Sequence, residues 1–293
     1  MGDAKKGLRG NWAAVVTPVD AHLRPDAAKA IAYYRDLLDA GCDGINLLGT
    51  TGEAMSFGAA QRLQLMEAVA RSGIPRCRAM AGTGAASLED TTRLTRAALD
   101  LGFAAVLLMP PFFFRDATDD GVMRFFDALF ARLPVANDRV LLYNFPQMSG
   151  ITFHPDLVDR LIEAFPGAIA GLKDSSNDRA LQAEILVRHP GLAVFPGSEE
   201  YLLDAVASGA AGCISGSVAL WPQLARSVYL HPAPGDARRL AERRAVLAQL
   251  PFVAAVRYCI ARNLGDDSWE QPVPPLMPLT PAQRSELDRR LAC

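Results

Sequence analysis

Apolar positions along the chain fall into eight short runs, over residues 13–19, 44–48, 76–83, 104–110, 140–145, 169–174, 194–197 and 212–217. They are mostly continuous rather than alternating, the pattern of parallel strands covered on both faces. Between them the period changes to 3.6. Residues 27–40 repeat apolar positions at helical spacing and stop at Gly41, and 61–70 do the same before Gly73. Ser87-Leu-Glu-Asp90 forms a capping box ahead of a helix over 91–101, which ends at Gly102. His154-Pro155 opens a helix that reaches Phe165 before Pro166. Eight strand–helix units in succession close most naturally into a (β/α)8 TIM barrel, here over residues 1–232, with an open doubly wound sheet as the alternative. Residues 233–293 read as a C-terminal helical region packed on the barrel, with helices over 237–250, 252–263 and 281–291.

Composition narrows the class. The 293 residues are 50% hydrophobic and 21% charged with a net charge of −2, which excludes a disordered chain and gives no basic footprint for nucleic acid. No stretch approaches the ~20 apolar residues of a membrane span. The N-terminus lacks the apolar core of a signal peptide, and Lys6 stands where a myristoylation site after Gly2 requires Ser or Thr. Cys42, Cys77, Cys213, Cys259 and Cys293 are scattered without a CxxC pair, as expected of reduced thiols in a cytoplasmic protein. His22, His154, His189 and His231 stand in loops or at helix ends without metal-ligand spacing, so no metal site is expected.

Of 30 basic residues only Lys5, Lys6, Lys29 and Lys173 are lysines. Arginine can replace a surface lysine but cannot supply a neutral amine. Lys173 follows Ile169-Ala-Gly-Leu172 at the end of the sixth apolar run, at the barrel face where active sites form. An amine there can attack a carbonyl and form a Schiff base; the alternative is a strand-end lysine paired with Asp174. Tyr143 ends the fifth run, where a phenol can shuttle protons, or simply pack as a core aromatic. Gly49-Thr-Thr-Gly-Glu53 after the second run offers hydroxyls and approachable amides to a carboxylate, or is a plain turn. Gly82-Thr-Gly-Ala-Ala-Ser87 partly mimics a dinucleotide fingerprint, but Ser87 stands in place of the third glycine and a tight turn accounts for it better.

These segments occur in the order Gly49-Thr-Thr-Gly-Glu53, Tyr143-Asn-Phe-Pro146, Gly171-Leu-Lys-Asp174 and Gly209-Ala-Ala-Gly-Cys-Ile-Ser215. In that combination the chain resembles the dihydrodipicolinate synthase / N-acetylneuraminate lyase family of class I aldolases over nearly its whole length. The resemblance implies a homotetramer and no cofactor, the covalent imine forming between Lys173 and pyruvate or another 2-oxo acid. It implies proton transfer by Tyr143, a hydrogen bond from Thr50 to Tyr143, and a carboxylate held by Thr51 and the loop amides around Gly49. It also implies that Gly197 and Ile214 line the pocket through backbone groups and that Phe113 and Met148 stand on its acceptor side.

Two positions depart from the family pattern. Phe112-Phe113 replace the Tyr-Tyr pair that dihydrodipicolinate synthases carry after strand 4, and Met148 falls where they carry a carboxylate-binding arginine. Glu199 and Glu200 suit polyol recognition, but Gly216 and Val218 do not complete the sialic-acid lyase pattern. The expected function is a Schiff-base lyase that makes or breaks a C–C bond beside a 2-oxo acid, with an aldehyde as partner, or dehydrates a keto-deoxy sugar acid. The alternatives are a true 4-hydroxy-tetrahydrodipicolinate synthase, which joins pyruvate to aspartate semialdehyde, a non-catalytic 2-oxo acid sensor, and a nicotinamide-dependent oxidoreductase resting only on the turn at 82–87.

Overall fold

The computed structural model describes residues 8–133 and 138–291. The expectations for Gly2, Lys5, Lys6 and Cys293 lie outside the described residues. Eight parallel strands lie in the order β7-β6-β5-β4-β3-β2-β1-β8. They are β1 (Gly10–Ala14), β2 (Gly44–Leu47), β3 (Ala79–Gly82), β4 (Ala105–Leu108), β5 (Val140–Asn144), β6 (Ile169–Asp174), β7 (Ala193–Pro196) and β8 (Gly212–Ser215). The seam between β7 and β8 is bridged by Ala211 N–H donating to Val194 O at 2.8 Å rather than by a ladder, leaving a nearly closed barrel.

The connecting helices are α1 (Ala27–Asp39), α2 (Ala59–Arg71), α3 (Leu88–Asp100), α4 (Asp119–Phe130), the single turn α5 (Pro146–Ser149), α6 (Pro155–Ala164), α7 (Arg179–Arg188), α8 (Leu202–Ala207) and α9 (Pro222–Leu230). Three further helices follow: α10 (Pro234–Ala248), α11 (Phe252–Leu264) and α12 (Pro281–Leu291). Their starts follow side-chain chemistry. Ser87 accepts from Asp90 N at the head of α3, and the His154 ring accepts from Leu157 N at the head of α6, with Pro155 at its first position.

Alternation along the strands divides the core in two. Trp12, Met80, Leu107, Leu141, Phe195 and Ile214 fill the barrel interior, while Leu142, Leu172 and Val194 face the helices. Tyr143 is in phase with Leu141, and Lys173 is in phase with Gly171. Gly171 is required there: a Cβ would stand 2.2 Å from Ala193 O.

The strand limits depart furthest from the apolar runs at β1 and β3. β1 starts three residues earlier and ends at Ala14, because its ladder with β8 begins at Gly10↔Gly212. Val15, Val16 and Val19 are buried by helix packing after the ladder ends. Arg76–Arg78 forms a 3-10 turn instead of the start of β3, and the Arg78 guanidinium bonds to carbonyls of Leu38, Cys42 and Asp43. Among the described residues no single helix is long and apolar enough to cross a membrane.

Candidate active site

At the C-terminal ends of β5 and β6 the register pairs Tyr143 directly with Lys173. Both point into the barrel and are 4% exposed, and the Lys173 Nζ stands 4.3 Å from the centre of the Tyr143 ring. Asp174, the alternative partner for the lysine, faces the other way and is fully engaged. It accepts from Asn144 Nδ2 at 2.7 Å, Gln182 Nε2 at 2.6 Å and Ser176 N at 3.1 Å. Among the described residues no carboxylate forms an ion pair with Lys173. The amine therefore faces a cavity with an aromatic wall and no anionic partner. That arrangement leaves its lone pair, once deprotonated, unblocked toward a bound carbonyl.

The loop after β2 delivers the hydroxyls. Thr50 Oγ1 lies 3.2 Å from the Tyr143 hydroxyl, so the phenol has a partner through which a proton can pass. Leu48 and Glu53 flank this loop with φ of +56° and +53°, left-handed conformations that cost side-chain-bearing residues about 1–3 kcal/mol each. The surroundings hold them there. Thr17 Oγ1 donates to Gly52 O at 2.8 Å. The fully buried Glu53 carboxylate accepts from Arg257 Nε at 2.6 Å and from Val273 N at 2.7 Å. Arg257 also donates to Thr17 O at 2.6 Å and Trp269 O at 3.1 Å. Through this buried pair, α11 and the segment after it fix the position of the threonines.

Two connected cavities open at this end. One, of about 350 Å³, is lined by Lys173, Tyr143, Thr50, Thr51, Gly197 and residues of α10 and α11. The other, of about 320 Å³, adjoins it through Thr50, Tyr143 and Met148 and is walled by Gly49, Leu107, Met109 and Phe112. The expected residues Thr50, Thr51, Gly49, Gly197, Tyr143, Lys173 and Met148 thus come together. Two do not. Phe113 is 74% exposed and points away; Phe112 takes the wall position instead. Ile214 lies opposite Trp12 in the inner barrel layer and lines neither cavity. Glu199 and Glu200 also line neither.

Cys213 lies on β8 but is no candidate nucleophile: burial, with the Glu199 carboxylate adding to it, pushes its thiol well above the usual range. The Gly82–Gly84 turn is also accounted for. A Cβ on Gly82 would meet Leu48 O at 2.1 Å, and Arg62 Nη2 caps the carbonyls of Gly82 and Gly84 at 2.9 and 3.0 Å. These are packing contacts, and they remove the basis for a dinucleotide site there. Sequence reasoning missed Arg257, Glu53 as its partner, and Arg244 and Phe252 of the C-terminal helices. Arg257 alone carried a signal, as a lone cation within the apolar run Phe252-Val-Ala-Ala-Val-Arg-Tyr-Cys-Ile-Ala261.

Residues 7–292 match the family described as the dihydrodipicolinate synthetase family. An uncharacterized DapA-like lyase of Chloroflexus aurantiacus is 39% identical over 223 residues, 75% of this chain and 74% of that one. Dihydrodipicolinate synthase from Agrobacterium tumefaciens superposes with a TM-score of 0.92 at 31% identity, covering 97% of this chain and 98% of that one. YagE, a prophage protein of Escherichia coli K12 in the dihydrodipicolinic acid synthase family, was solved in complex with pyruvate. It superposes with a TM-score of 0.86 at 25% identity, over 97% of each chain.

Proposed function

The chain belongs to the dihydrodipicolinate synthetase family, a family of class I aldolase-type lyases, and on that premise we propose that Lys173 carries pyruvate or another 2-oxo acid as a covalent imine. The Lys173 amine attacks the keto carbon, and the carbinolamine loses water to give the imine. Tyr143, bonded to Thr50, delivers the proton to the departing hydroxyl. Removal of a proton from C3 of the imine gives an enamine, which adds to an aldehyde carbon. Hydrolysis then returns the lysine and releases the product. The same steps in reverse cleave a C–C bond, and loss of a β-hydroxyl from the enamine dehydrates a keto-deoxy acid. Thr51 and the amides around Gly49 bind the 2-oxo acid carboxylate.

One observation carries this reading: an amine without a carboxylate partner among the described residues, 4.3 Å from the ring of a tyrosine that is itself bonded to a threonine, inside a cavity at the barrel mouth. The apolar annex around Met109 and Phe112 supports an acceptor carrying carbon rather than several hydroxyls. The reaction needs no cofactor in this reading. The exposed pair Phe113 and Phe114, stacked edge to face at 5.3 Å, supports association of copies of the chain, as a homotetramer. Free thiols at Cys42, Cys77 and Cys213 support a reducing, cytoplasmic setting.

The test is a product screen. The protein is incubated with pyruvate and a panel of aldehydes, and separately with keto-deoxy sugar acids, with products read by mass. A condensation, cleavage or dehydration product that disappears in Lys173→Ala is expected. A retained imine with no product from any of them would make the protein a 2-oxo acid binding protein and overturn the reading.

A further inference from the structure

Among the described residues Arg244 forms no ion pair, and its Nε and Nη1 make no hydrogen bond. It sits on α10, and its guanidinium carbon stands 4.3 Å over the ring of Phe252, the first residue of α11. The two helices meet at 115°, and this corner brings both residues to the mouth of the Lys173 cavity. Its Nε and Nη1 are enclosed and make no hydrogen bond, and no carboxylate pairs with it among the described residues. Enclosed donors without partners are costly, so such a group signals a missing acceptor. Of its neighbours on α10, one arginine is ion-paired and another stacks as Arg244 does. Arg239 pairs with Asp236 at 3.1 Å, and Arg243 stacks on Trp221.

The cavity lining supplies no carboxylate: it includes two cations, Lys173 and Arg244, and no Asp or Glu. Lys173 and Thr51 account for the reacting end of a 2-oxo acid. Phe252 stands between that end and Arg244. A Cβ built on Gly216 would lie 2.9 Å from both the Phe252 ring edge and the Thr51 hydroxyl, while the face of the same ring carries the guanidinium. Beside Phe252 the cavity lining includes the apolar Pro251, Val253, Leu276 and Met277, with Ser175 and Asn177 as polar groups. A phosphate presents more oxygens than the planar fork of one guanidinium can pair. A carboxylate presents two oxygens to the planar fork and needs no more.

We infer that Arg244 binds a second carboxylate, so that this site selects dianionic substrates whose far end lies beyond Phe252. The inference rests on the Schiff-base reading for the substrate's near end. It assigns specificity to a residue of the C-terminal helices, while Met148, exposed at the rim of both cavities, brings no charge.

The test uses two probes of one shape, 2-oxoglutarate and 5-methyl-2-oxohexanoate, in which an isopropyl group replaces the far carboxylate. Dissociation constants are measured by calorimetry on the full chain for the native protein, Arg244→Met and Arg244→Lys. The native protein is expected to prefer 2-oxoglutarate by about 10- to 100-fold, the scale of a charged hydrogen-bonded pair. Arg244→Met brings the ratio near one, and Arg244→Lys retains part of it. The ratio is internal to each protein, so a general loss of stability does not mimic the result. A native ratio near one, a ratio unchanged in Arg244→Met, or equal weakening of both probes in the variant would each overturn the inference. The last of these would put Arg244 on the carboxylate common to both. Borohydride trapping of pyruvate on the native protein is run in parallel. Its failure removes the imine but leaves the calorimetric ratio to decide on Arg244.

Discussion

Replacing Arg257 by methionine tests how the threonine loop is held. The guanidinium makes three bonds of 2.6, 3.1 and 2.6 Å, to Glu53, Trp269 O and Thr17 O. Both members of its ion pair have fully buried side chains. Methionine fills much of the volume but leaves the Glu53 carboxylate with Val273 N as its remaining donor. Removing one member of a buried pair costs about 3–5 kcal/mol. At roughly 2–4 °C per kcal/mol for a chain of this size class, Tm falls by roughly 6–20 °C. The double variant Arg257→Met, Glu53→Leu removes the stranded charge as well, so it loses less than the two single variants added together. Thermal and denaturant unfolding of all four proteins gives the coupling. Because Glu53 closes the loop that carries Thr50, kcat also falls in Arg257→Met below the melting range. A loss under about 1 kcal/mol, or additive single variants, would refute the claim that this pair braces the loop.

Other outcomes follow from the same geometry. Tyr143→Phe loses the hydroxyl but keeps the ring beside Lys173, so kcat is expected to fall about 10²- to 10⁴-fold in steady-state assays while a pyruvate imine still forms at equilibrium; unchanged kcat would remove Tyr143 from proton transfer. Thr50→Val deletes the 3.2 Å partner of that phenol, and a smaller loss of about tenfold in kcat, with Tm nearly unchanged, is expected. Iodoacetamide at pH 8 is expected to label Cys77, which is exposed, and to spare Cys42, whose thiol burial and the neighbouring Asp43 push up to about 12. Since little of Cys42 is thiolate until the pH nears that value, early labelling of Cys42 by peptide mapping would contradict its burial.

The legible parts of the fold were those set by local pattern. The run Ile169-Ala-Gly-Leu-Lys-Asp174 reads as a strand from its apolar residues, and β6 spans the same six positions. A strand end in a barrel is where chemistry sits, so Lys173 and Tyr143 stood out before any coordinates. A run of three phenylalanines does not say which one turns inward; after β4 it is Phe112 that lines the cavity, while Phe113 is exposed. The start of β1 was missed because Gly10 and Asn11 look like loop residues. Asn11 is buried by a bond from its side chain to Ala225 O, 214 residues away. Arg244 lay in Ala237-Arg-Arg-Leu-Ala-Glu-Arg-Arg244, which reads as a solvated basic helix. Only the corner between α10 and α11 turns that one arginine into the cavity.

The central claim is that one amine in this chain becomes covalently bound to a 2-oxo acid. Pyruvate is added with sodium borohydride, the protein is digested, and the modified peptide is sequenced by mass spectrometry. The account predicts stoichiometric, irreversible modification at Lys173, with Lys29, held by Asp266 at 2.7 Å, left unmodified. An unmodified Lys173 at saturating pyruvate would contradict it.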